Sequence, residues 1–163
     1  VSTHAAHEQL LAIQARAAAL LEEHAYFAGL EVFTERIGDL DQKIRTKLAK
    51  LGLCVVVMTP SFSILQRQGA RVKIRVRVIV EASETVLVNS GASGSQKPSL
   101  AVATAAAIAL DGKPSESGPH YSGAGADPLN EYRLSDSEPV RLVPDPKLLV
   151  YHCELYVDTF LER

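Results

Sequence analysis

Tryptophan is absent from this chain of 163 residues, and aromatic residues make up only 6% of it. A platform that stacks nucleobases, or a cleft that grips sugar rings, needs several broad aromatic faces, so neither is expected. An excess of charge of one sign is lacking as well: 17 Lys and Arg stand against 19 Asp and Glu, a formal net charge of −2. A dedicated nucleic-acid binder carries a clear basic surplus, so any basic patch here is local and offset elsewhere. With two cysteines, Cys54 and Cys153, the chain is too poor in sulfur for a disulfide scaffold. Both lie in apolar runs, where a thiol acts as a small hydrophobe. No apolar run is long enough to span a bilayer, and the N-terminal stretch is polar and helical. The expectation is a protein without a leader or a membrane segment, made in a reducing cytoplasm.

What the chain does have is a strict alternation. Residues 71–80 place Val72, Ile74, Val76, Val78 and Val80 on one side of an extended strand. Arg71, Lys73, Arg75 and Arg77 fall on the other, completed by Ile79. The valine side requires a core. The basic side requires water, acid or a partner.

Around that strand the pattern predicts one α+β domain over residues 1–163: a mixed, mostly antiparallel sheet packed by about three helices. Leu10, Ile13, Ala17, Leu20 and Leu21 recur at helical spacing within 3–25. A short strand is expected at 30–34. Asp39 with Gln42 has the spacing of a capping box for a second helix, buried through Leu40, Ile44, Leu48 and Leu51 and stopped by Gly52. Residues 53–59 are apolar without interruption, as in a strand covered on both faces. Residues 61–70 suggest a hairpin or wide connection turning at Gly69, and 85–88 a continuation of the basic strand. A flexible loop is expected at 89–97. Pro98 opens a third helix at 99–110, whose Leu100, Val102, Ala103, Ala106, Ala107 and Leu110 suit close packing on a sheet. Residues 111–130 lack periodicity and apolar anchors and predict a flexible loop. A last strand, 147–160, puts Leu149, Tyr151, Cys153, Leu155 and Val157 on one side, and His152, Glu154, Tyr156 and Asp158 on the other.

Signatures of chemistry are missing. Lys97 in the segment Gly91 to Ser99 follows Gln96 and precedes Pro98, whereas a phosphate loop needs a glycine before its lysine and a hydroxyl residue after it. Ser93 lacks the glycine spacing of a nucleophile elbow, so a hydrolase using Ser93 with His120 or His152 is a weak alternative. His4 and His7 have no further ligand at metal spacing. No catalytic residue, cofactor or metal site is expected. The charged strand faces therefore carry the functional question, and three readings are open. Arg71, Lys73, Arg75 and Arg77 could meet nucleic-acid phosphates. They could pair within the sheet with Glu154 and Asp158. Or they could meet a neighbouring subunit.

Several short segments add a family resemblance across roughly residues 30 to 160. They are Ile37 to Asp41 ahead of a helix, Leu51 to Pro60 running into the central strand, and Val78 to Glu81. The turn at Val88 to Ser90, the helix opening Lys97 to Ala103, and Leu142 to Asp145 before the last strand complete the set. Taken together the chain resembles the tail-completion or tail-terminator proteins of tailed bacteriophages and prophages, closest to the Mu-like group. The resemblance implies a non-enzymatic virion protein that forms a homo-oligomeric ring, six-fold in expectation, at the head-proximal end of the tail tube. Its partners would be the tail tube protein and the sheath, neck or head-completion protein, with DNA passing only as cargo through the lumen. It would be assembled in the host cytoplasm. The alternative is a head–tail neck adaptor. The subunit-interface candidates are Arg71, Lys73, Arg75, Arg77, Glu154 and Asp158, because ring closure joins two different patches of one subunit.

Overall fold

The computed structural model describes residues 3–35, 39–119 and 128–162. Its elements are, in order, α1 (Thr3–Glu23), a 3-10 turn (Ala25–Phe27), β1 (Val32–Thr34), α2 (Leu40–Leu51), β2 (Leu53–Val57), β3 (Ser61–Gln68) and β4 (Arg71–Glu84). There follow α3 (Val86–Asn89), α4 (Ser99–Leu110), β5 (Arg133–Leu134), β6 (Val140–Val143) and β7 (Leu149–Glu162). This is the expected α+β domain, with a seven-stranded mixed sheet in the order β1-β2-β4-β7-β5. β3 continues beside β4 beyond β2, and β6 lies beside β7. Among the described residues only β1 and β2 run parallel; every other pairing is antiparallel.

β4 and β7 form the spine, paired from Arg71 opposite Glu162 to Glu84 opposite Leu149. The alternation in β4 is realised as read: Ile74, Val76, Val78, Val80 and Ala82 are fully buried, while Lys73, Arg75, Arg77, Ile79 and Glu81 are half-exposed. Ile13, Ala17 and Leu21 of α1 and Val102, Ala103, Ala106 and Leu110 of α4 close this core, with Cys153, Leu155 and Val157 of β7. The alanines let the helix backbones approach the sheet. Two buried polar groups tie α1 down: Gln14 Nε2 donates to the carbonyl of Val57 at 2.9 Å, and the Tyr132 hydroxyl donates to the carbonyl of Ile13 at 2.5 Å.

On the opposite face α2 covers a smaller cluster of Phe33, Cys54 and Val56. β2 is therefore buried along its whole length, as its unbroken apolar run predicts. Leu40, Ile44, Leu48 and Leu51 are only half-buried, less than the buried face expected of them, because α2 lies at the border of the sheet. The capping box is not formed. Asp39 adopts a left-handed conformation (φ 66°) and makes no side-chain cap bond; its carboxylate instead lies 3.8 Å from Lys43 Nζ. Gly52 does end α2, at φ 71°, donating to the carbonyl of Leu48.

Other expectations are refined or corrected. Of the two alternatives for 61–70 the hairpin is the one formed, turning at Gly69, with the whole of 61–68 as its first strand. Residues 86–89 turn into a helix instead of prolonging the strand. Two strands, β5 and β6, occupy 133–143, where none was expected.

The segment 89–97 is held in place rather than loose: Asn89 Nδ2 donates to Glu84 Oε1 at 2.7 Å and to the carbonyl of Lys97 at 3.0 Å, and the Ser95 hydroxyl donates to Asn89 Oδ1. Ser99, at the start of α4, donates its amide and its hydroxyl to Glu84 Oε2 at 2.7 and 2.8 Å. Within 111–130, residues 120–127 lie outside the described residues, as do Ile37 and Gly38 of the resembling segments. The flanks of that loop are anchored by polar groups. The Ser115 amide donates to the carbonyl of Asn130, the Asn130 amide to that of Asp158, and Asn130 Nδ2 to that of Pro119.

Candidate assembly surfaces

The outward side of the β4–β7 pair is a ladder of ion pairs. Arg75 stands directly opposite Asp158 and grips it with two parallel bonds, Nε to Oδ1 at 2.8 Å and Nη2 to Oδ2 at 2.9 Å. This is the forked geometry that a guanidinium offers a carboxylate. Arg77 stands opposite Tyr156 but reaches Glu154 Oε2 at 2.5 Å, and the Tyr156 hydroxyl donates to Glu154 Oε1 at 2.6 Å. The Arg75 guanidinium also lies 5.5 Å from the Tyr156 ring centre. The carboxylates of Asp158 and Glu154 are only 10% and 12% exposed, against 40% and 39% for their arginines, so the acids depend on these partners more than the bases do. The bond from Arg77 holds the Glu154 carboxyl below its ordinary range. Of the three readings of the basic face, pairing within the sheet is the arrangement observed for Arg75 and Arg77. Arg71 and Lys73 lie further toward the hairpin, opposite Glu162 and Phe160.

The next rung is Glu81 with His152, opposite one another and bonded Oε2 to Nε2 at 2.8 Å. That bond is the main reason the Glu81 carboxyl is held below its ordinary range, with the Ser83 hydroxyl adding to it.

β3 is the second surface. It pairs only with β4 among the described residues, and all eight of its residues are exposed. Phe62 and Ile64 sit opposite Val76 and Ile74, so they prolong the buried side of the sheet past the last strand that the helices shelter. A bulge at Leu65 then shifts the register. Phe62, Ile64 and Leu65 remain 48%, 47% and 44% exposed. An edge strand of this length with three large apolar residues is a surface that soluble monomers avoid presenting.

The third surface is a shallow apolar groove of about 620 Å³ on the outer side of α4. Leu100, Ala101, Thr104, Ala105 and Ile108 follow one helical stripe, and Tyr26, His24 and Pro98 close the groove at one end. Leu100 thus faces outward instead of packing on the sheet, and Ile108 is 71% exposed. Lys97 lies across the Tyr26 ring at 5.0 Å and donates to the Tyr26 carbonyl. The sequence held a clue: α4 has no charged residue in its twelve positions, so it lacks the polar face of a surface helix.

Residues considered for chemistry are not brought together. Ser93 is exposed on the segment before α4, whereas His152 is buried against Glu81. His120 and the side chain of His4 lie outside the described residues. Among the described residues no group of three or more His, Cys, Asp or Glu is arranged to hold a metal ion, and no helix is long and apolar enough to cross a membrane. Burial pushes the thiols of Cys54 and Cys153 up to about 12, as suits two small hydrophobes. No family model matches the chain, and no curated protein matches its sequence.

Proposed function

We propose that this chain is a structural protein of a phage or prophage tail, a subunit that assembles into a ring, six-fold in expectation, and completes the tail tube at its head-proximal end. The observation that carries the reading is the exposed β3 edge with Phe62, Ile64 and Leu65, which a monomer would leave in water. A ring buries such an edge on every subunit at once. The resemblance of the sequence to tail-completion proteins supplies the tail. The neutralised outward face of β4 and β7 supports a role in assembly over one in holding DNA, because Arg75 and Arg77 are committed to Asp158 and Glu154.

The test is electron microscopy of particles produced by the phage or prophage after deletion of this gene. Filled heads beside tails without a defined upper end are the expected result. Complete tails and complete heads that fail to join would indicate the neck adaptor instead. Normal virions would overturn both.

A further inference from the structure

We draw no further inference here: the strongest candidate, the apolar groove on the outer side of α4 between Leu100 and Ile108, is an unpartnered face, and nothing in the structure shows what covers it.

Discussion

Arg77 bypasses Tyr156, its neighbour in register, and bonds Glu154 two residues before it in β7, while the Tyr156 hydroxyl secures the other oxygen of the same carboxylate. Together with Arg75 on Asp158, this makes the charged face of the sheet a set of fixed pairs rather than a field of free cations.

Those pairs should show coupling. In a double-mutant cycle on Arg75 and Asp158, read by urea denaturation, the interaction energy should be roughly 0.5–1 kcal/mol, the low part of the range for contacting residues because Arg75 is 40% exposed. Reversing Arg75 to Glu should destabilise the chain, and adding Asp158→Arg should restore part of the loss. Additive effects would mean the pair is not formed in solution.

Acid should weaken the fold through Glu81 and Glu154. Both carboxyls are held below their ordinary value in the folded chain, Glu81 mainly by His152 and Glu154 mainly by Arg77. Their contribution is complete above the unfolded-state carboxylate value, about 4.3, and is lost as pH falls through the lower folded values. The urea midpoint should therefore drop between about pH 5 and pH 2. Glu154→Gln should show a shallower drop over that interval, and an unchanged slope would count against the assignment.

The two clusters of the core should differ in what they lose. Leu155 is fully buried, so Leu155→Ala should cost about 2–5 kcal/mol. Leu48, half-buried on the α2 side, should cost clearly less when truncated in the same way. Equal costs would show that α2 is packed more tightly than its exposure indicates.

Gly52 is constrained twice. Its φ of 71° suits few side chains, and a Cβ there would run into the backbone of Asn89. Gly29 has a similar φ of 81° with open space around it. Gly29→Ala should therefore cost about 1–2 kcal/mol, the left-handed penalty alone, whereas Gly52→Ala should cost more and loosen the Glu84–Asn89–Ser99 bracket. Thermal melting of the two variants checks the order.

The sequence was legible where one physical rule dominated. β4 could be read because burial on one face imposes a period of two from Val72 to Ala82, and α4 because Pro98 and the alanine-rich run fix its start and its packing side. The acids on β7 could be named as partners for the same reason, although only the register selects Asp158 for Arg75 and Glu154 for Arg77. Gly69 marked the turn of a hairpin at 61–70, but the length of β3 was not legible, because an edge strand exposed on both sides carries no core signal and the bulge at Leu65 breaks what alternation it has. The groove on α4 escaped because Leu100 looks like a packing residue until the helix is placed. Asn89 gave no warning either, since its bonds to Glu84 and Lys97 arise only once α3 has turned the chain back.

The central claim is that this chain assembles, and the mass of the purified protein in solution tests it most directly. Light scattering over micromolar concentrations, with negative-stain images of the same sample, should show a closed ring of several copies, six in expectation, and the double substitution Phe62→Lys, Ile64→Lys should reduce it to single chains. A protein that stays at 17.6 kDa across that range, with no rings on the grid, would contradict the account.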